Sequence, residues 1–384
     1  MPDRDAAAQT PFLPYGRQEI GDVDVKAVVE ALVSGWLTTG PRVGEFEQAF
    51  ARHCGAIEGV AVNSGTAALH AAMRAIGLQT GDEVIVPALT FAASANAAVY
   101  EGATPVFADV EENTLLIDPG SVQRLLSPRT RAIVAVDYAG QPADYDALRQ
   151  IAKSRGIRLI ADACHSPGAV YRDRKVGTLA DISCFSFHPV KHMTSCEGGM
   201  CTTDDPETAA HMRRFRNHGI DSDHRSRQAN GAYVYDMAEL GYNYRLPDVL
   251  CALGMAQLPR LDGWVKARQK IAHHYDRAVA HLPRVAPLFT HSDRSNAYHL
   301  YVVRLAEGLD RDRAFAALRA EGIGANVHYA PVYWHSYYQA RGYRKGLCPV
   351  AERASRQILT LPMFPAMSEA DVNRVVNALT KATA

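Results

Sequence analysis

Between about residues 60 and 205 of this 384-residue chain, apolar runs of strand length alternate with stretches of helical pattern, and no other feature limits the fold as tightly. Residues 59–62 lead into Asn63-Ser64-Gly65-Thr66, after which residues 67–77 read as a helix of small residues that stops at a glycine. Residues 83–86 form a second apolar run and 91–100 a second helix; the runs at 105–107, 132–136 and 159–161 continue the series, with a helical pattern over 143–153. Strands joined through helices pair in parallel, because a parallel pair needs a long crossover. The alternation therefore predicts an α/β fold whose large, mostly parallel sheet carries helices on both faces. Such sheets bind ligands at the carboxyl ends of their strands.

The pattern changes at 257–275, a long charged helix with Arg260, Lys266, Arg268 and Lys270 assigned to its polar side. A strand at 299–305, a helix at 311–321, a strand position at Val327 and a final helix at 369–381 predict a smaller α+β domain. We place the N-terminal arm and large domain at residues 1–260 and the small C-terminal domain at 261–384.

Charge and cysteine content narrow the partners. Forty-one Lys+Arg balance 41 Asp+Glu without a long basic run, which leaves no footprint for a nucleic-acid backbone or an anionic membrane. The seven cysteines are odd in number, form no CxxC pair and sit in apolar stretches, the pattern of reduced thiols in a cytoplasmic protein. Met1 to Thr10 carries Asp3, Arg4 and Asp5 and no apolar segment of a signal peptide, and no apolar run approaches the ~18 residues of a membrane span.

Three segments carry chemistry. Ser64-Gly65-Thr66 stands between a strand and a helix, where backbone N–H groups and hydroxyls suit a phosphate, although Ser and Thr also serve as ordinary helix caps. Lys191, in Ser186-Phe187-His188-Pro189-Val190-Lys191, lies among apolar and aromatic residues. There its ammonium loses solvation, and the neutral amine becomes a nucleophile for an aldehyde cofactor. Asp162 ends the apolar run Leu159-Ile160-Ala161, 29 positions before Lys191, as an acid able to pair with a protonated pyridine nitrogen or simply to cap a helix or end a strand.

Together these segments resemble the DegT-type sugar aminotransferases, enzymes of fold type I that use pyridoxal 5′-phosphate (PLP). Further matches are Gly35-Trp36-Leu37-Thr38-Thr39-Gly40-Pro41, Gly81-Asp82-Glu83-Val84-Ile85, Gly241-Tyr242-Asn243-Tyr244-Arg245-Leu246 and Asn326-Val327-His328-Tyr329. The resemblance implies that Lys191 is the lysine that carries PLP as a Schiff base and then moves the proton. It implies that Asp162 holds the pyridine nitrogen, Phe91 stacks on the ring and His165 lies beside it. Ser64, Gly65, Thr66 and Ser186 would hold the phosphate, and Asn243 would reach the phosphate of a second subunit, so that the enzyme is a homodimer with shared sites. Tyr15, Trp36, Leu37, Thr38, His188, Asn326, Val327, His328 and Tyr329 would contact the sugar nucleotide.

Within that family the chain is most similar to the branch that moves an amino group from glutamate to C4 of a UDP-4-keto-6-deoxy-N-acetylhexosamine in pseudaminic acid synthesis. Two departures stand out. Ala161 and Cys164 replace the usual glutamate and alanine around Asp162, and Cys196 stands where relatives have Gly or Ala before Glu197. Another keto sugar nucleotide as substrate, or a regulatory protein that keeps the fold without turnover, are the alternatives. His188 and His192 at i, i+4 lack the acidic partner of a zinc motif, so no metal is expected.

Overall fold

A computed structural model describes residues 11–222, 227, 231 and 233–384. Its strands are β1 (Glu58–Val62), β2 (Glu83–Pro87), β3 (Thr104–Ala108), β4 (Thr130–Val136), β5 (Arg158–Asp162), β6 (Val170–Tyr171), β7 (Arg174–Lys175), β8 (Ile182–Ser186), β9 (Gly199–Thr203), β10 (Val285–Pro287), β11 (Tyr301–Leu305) and β12 (Ile358–Leu361). Seven of them form one sheet in the order β1-β9-β8-β5-β4-β2-β3. The five from β8 to β3 pair in parallel, whereas β9 runs antiparallel to both β8 and β1. Because β9 is reversed between them, β1 and β8 point the same way, and six strand ends open on one side.

Alternation along the strands divides the core. Ala132, Val134 and Val136 of β4 face one apolar cluster and Ile133 and Ala135 the other, and Val84 and Val86 oppose Ile85 in the same way on β2. Small residues let the helices lie close: Gly65–Ala75 buries Ala67, Ala68, Ala71 and Ala72, and Ala93–Tyr100 buries Ala95, Ala97 and Ala98. The α/β fold with a mostly parallel sheet, expected from sequence, is the observed one.

A second sheet, β10-β11-β12, is antiparallel throughout. With the helices Leu261–Val279, Arg311–Ala320 and Glu369–Thr383 it encloses its own apolar cluster. Leu13, in the arm grouped from sequence with the larger part, packs in this second cluster and bridges to Ile323. The strand expected at Val327 does not form. Asn326 exchanges a single pair of main-chain hydrogen bonds with Thr360 and its side chain then takes up Val327 N–H, so Ile358–Leu361 completes the sheet instead. No described helix is long and apolar enough to cross a membrane.

Candidate active site

The carboxyl ends of β1, β4, β5 and β8 and the loop after β2 converge on one cavity of about 380 Å³. Of the residues singled out in the sequence, Tyr15, Ser64, Gly65, Thr66, Phe91, Asp162, His165, Ser186, His188, Lys191, His328 and Tyr329 line it.

At the β1 end, Ser64 caps the helix Gly65–Ala75 by accepting Ala67 N–H at 3.0 Å. Gly65 is packed so closely that a Cβ there would meet Ser186 Cβ at 2.8 Å and Cys164 Sγ at 3.2 Å. Absence of a side chain thus brings a helix N-terminus, its free N–H groups and the Ser186 hydroxyl to one corner, a cradle suited to an anion.

Asp162 ends β5, buried, with Oδ2 accepting the Ser94 hydroxyl at 2.6 Å and Oδ1 accepting Cys164 N–H at 3.3 Å. Ser94 Oγ pairs in turn with Thr90 Oγ1 at 2.8 Å. The carboxylate is held on an apolar floor without an arginine or lysine in ion-pair contact among the described residues, which leaves its charge available to a cation in the cavity.

Lys191 stands on the loop between β8 and β9. Both ends of that loop are pinned: Phe187 N–H donates to Gly198 O at 2.8 Å, and Phe187 O accepts Ser195 N–H at 3.1 Å and the Thr194 hydroxyl at 2.9 Å. Burial lowers the pKa of the Lys191 amine, Cys164 and Asp162 pull it back, and Arg268 lowers it further. The amine lies 3.4 Å from His299 Nε2.

Histidines surround that amine. The His165 ring lies 4.4 Å from that of His299, and His165 Nε2 lies 3.3 Å from the Tyr329 hydroxyl. Burial, and after it the Lys191 charge, holds both His165 and His299 well below the usual imidazole range. His328, steadied by Thr360 Oγ1 at 2.9 Å, is lowered to about 4, again by burial first. Tyr15 tilts over the His328 ring at 5.6 Å, and Phe91, 59% exposed, lies 6.1 Å from the Tyr329 ring.

Other predicted contacts lie outside the cavity of their own chain. Asn326 and Val327 sit behind it, with Asn326 Nδ2 3.4 Å from His328 Nε2. Trp36, Leu37 and Thr38 are exposed beyond the helix Asp22–Val33, with Thr38 O accepting Asp248 N–H. Asn243 is exposed and bridges to Asn217. Arg268, assigned to a polar face, is instead 1% exposed. His192 is buried with Nε2 on Ala297 O at 2.9 Å, and among the described residues no group of three or more His, Cys, Asp or Glu is arranged to hold a metal ion.

Sequence reasoning missed His299 on the cavity wall, and noted Cys164 and Glu197 only as neighbours of Asp162 and Lys191 in their motifs. The Asn296-Ala297-Tyr298-His299 segment offers no motif, since its role comes from packing against a distant strand end.

An anion cradle, a buried amine and a strand-end carboxylate lining one cavity, with an orphaned buried His165 Nδ1 alongside, fit a phosphorylated pyridine aldehyde. A family model described as the DegT/DnrJ/EryC1/StrS aminotransferase family matches residues 18–380. The chain is 42% identical over 374 residues to the spore coat polysaccharide biosynthesis protein SpsC of Bacillus subtilis, covering 96% of each. Among solved structures, a putative sugar aminotransferase Spr1654 of Streptococcus pneumoniae in its PMP form superposes with a TM-score of 0.92 at 30% identity, over 97% of this chain and 99% of that one. Helicobacter pylori PseC, an aminotransferase of pseudoaminic acid biosynthesis, does so with a TM-score of 0.91 at 30% identity and the same coverage.

Proposed function

The chain belongs to the DegT/DnrJ/EryC1/StrS aminotransferase family, a PLP-dependent sugar aminotransferase, and from that premise we propose its substrate and the duties of its residues. The reaction we propose moves an amino group from glutamate to C4 of a UDP-4-keto-6-deoxy-N-acetylhexosamine, giving UDP-4-amino-4,6-dideoxy-N-acetyl-β-L-altrosamine. The observation that carries it is the aromatic and imidazole part of the cavity wall. Tyr15, His188, His328 and Tyr329 there offer ring faces, a hydroxyl and imidazole nitrogens to a nucleotide and its sugar. The likeness to PseC supports the same sugar class.

Bound PLP supplies an aldehyde that takes up the amine and a ring that draws electrons from the carbon losing its proton. Ser64, Gly65, Thr66 and Ser186 anchor the phosphate. Asp162 would hold the pyridine nitrogen in its protonated form, Phe91 would stack on the ring and His165 would lie beside it. Lys191 Nζ carries the proton between carbon atoms, which requires the neutral amine that burial favours. Asn243, exposed on its own chain, reaches the phosphate held by a second copy, so the working unit is a homodimer. Trp36, Leu37 and Thr38, exposed outside the cavity of their own chain, would contact the sugar nucleotide held by the second copy, and Asn326, followed by Val327, supports His328. Seven free cysteines suit the reducing cytoplasm.

A second reading is favoured by the 42% identity to SpsC: a different keto sugar nucleotide, destined for a surface polysaccharide. Absorbance of the PLP-loaded protein separates the two. Mixing with UDP-4-amino-4,6-dideoxy-N-acetyl-β-L-altrosamine converts the cofactor to its amine form under the first reading. Conversion by glutamate and another amino sugar alone supports the second, and conversion by neither overturns catalysis.

A further inference from the structure

His299 reaches the cavity from the second sheet, just ahead of β11. Its Nε2 is the single hydrogen-bond partner of the Lys191 amine among the described residues, at 3.4 Å. The segment that carries it is wedged in place. Gly140, after β4, has φ +111°, and a Cβ there would lie 2.6 Å from Tyr298 N and 2.9 Å from His299 N, so only a glycine admits this approach. Leu300 N–H donates to Ala139 O at 3.2 Å, closing the contact from the other side.

Behind the ring, buried Arg268 donates from one nitrogen to Tyr298 O at 3.1 Å, His299 O at 3.3 Å and Met363 O at 2.9 Å. No carboxylate lies in ion-pair contact with it among the described residues, so the guanidinium serves the main chain at residues 298–299. His165 packs on the ring at 4.4 Å and His192 at 5.7 Å. An imidazole fixed from so many directions still leaves Nδ1 buried without a partner. A group left unsatisfied in a native interior calls for a reason at the other ring nitrogen.

We propose that His299 is a positioning residue for Lys191: its Nε2 accepts one N–H of the neutral amine whenever that amine is free, which turns the nitrogen lone pair into the cavity. The inference rests on the reading of Lys191 as the reactive amine. A free lysine side chain spreads over many rotamers, and one directional hydrogen bond from a rigid acceptor removes much of that spread. Nδ1 carries the ring proton in this arrangement. Burial first, and then the charges of Lys191, His165, His192 and Arg268, hold this imidazole well below its usual range.

The test compares H299N, H299Q and H299L in the full-length protein. Glutamine places an amide where Nε2 lies; asparagine stays polar but falls short, and leucine fills the space without an acceptor. Two quantities are read: kcat against KM for the keto sugar, and the rate at which cofactor-stripped chain recaptures added PLP. We expect H299N and H299L to slow recapture and lower kcat by on the order of ten- to a hundredfold, with H299Q recovering most of the loss and sugar KM little changed. Wild-type recapture and kcat in H299N, or H299Q as slow as H299N, overturns the proposal; that pair decides even if H299L fails to fold. Unchanged His299 variants beside a strongly impaired Lys191→Ala sink this inference alone, whereas turnover near the wild-type rate in Lys191→Ala sinks the reading beneath it.

Discussion

Ser94 Oγ donates to Asp162 Oδ2 across 2.6 Å, so a helix that follows β2 aims the carboxylate at the tip of β5. Ser94→Ala removes a hydrogen bond to a charged acceptor worth about 1.5–3 kcal/mol. The expected result is a kcat lower by about tenfold or more. Asp162→Asn keeps the shape and loses the charge, and should lower kcat by at least about a hundredfold. Steady-state kinetics with circular dichroism to confirm the fold checks both; an Asp162→Asn variant of wild-type rate refutes the assignment.

Lys191→Ala should lower turnover by about 10²–10⁴-fold, the range of a lost acid–base group, while the melting temperature holds. Single-turnover absorbance with glutamate measures it.

Four buried histidines make stability depend on pH. His165, His192 and His299 sit well below the usual imidazole range and His328 at about 4, all by burial first. In the unfolded chain the same rings titrate near ~6.5. Between those values only the unfolded chain binds the protons, so stability is full above about pH 6.5 and falls as pH drops toward the folded values. For His328 the loss reaches about 3 kcal/mol once pH passes below 4. Asp137, raised to about 7 by burial, works the other way, losing stability as pH rises through 7. His53, lowered by burial, joins the histidines, and Asp248, raised by burial, joins Asp137; the histidines prevail and the melting temperature falls from pH 7 to pH 5, less steeply in His328→Gln. Thermal melts at fixed ionic strength test this, and a flat profile contradicts it.

Gly65→Ala adds a methyl 2.8 Å from Ser186 Cβ, where backbone must shift. The cost should be about 1–3 kcal/mol in stability, with weaker PLP retention. Thermal melts and PLP titration measure the two effects separately.

Much of the larger sheet was legible because its strands are buried on both faces and read as plain apolar runs: β2, β3, β4 and β5 fall within one or two residues of the expected positions. β9 was not, since Gly199-Met200-Cys201-Thr202-Thr203 carries no run of branched apolar residues and owes its place to the antiparallel pairing with β8 and β1. Asp162 and Ser64-Gly65-Thr66 were legible as cavity residues because each sits at a strand end in a motif of small or apolar neighbours, and Lys191 because it follows an apolar and aromatic strand. His299 and Arg268 were invisible for the opposite reason. Arg268 reads as a solvated helix residue, and only the carbonyls of Tyr298, His299 and Met363, up to 95 positions away, reveal that it is buried. Cys196, at φ +66°, occupies a backbone conformation that favours glycine, and the fold accommodates it at an exposed position.

The cavity wall has two origins. Ser64, Gly65, Asp162, Ser186 and Lys191 all ride on the large sheet, the lysine on a loop tied at both ends to adjacent strands, whereas His299, His328 and Tyr329 come from chain beyond the long helix Leu261–Val279. In evolutionary terms the residues around 328 and 329 are the exchangeable fitting, whereas His299, though it arrives from the same stretch of chain, belongs with the amine it touches. Changes confined to 328 and 329 leave the relation of amine, acid and anion cradle as it is, so they alter the far wall of the cavity without dismantling its floor.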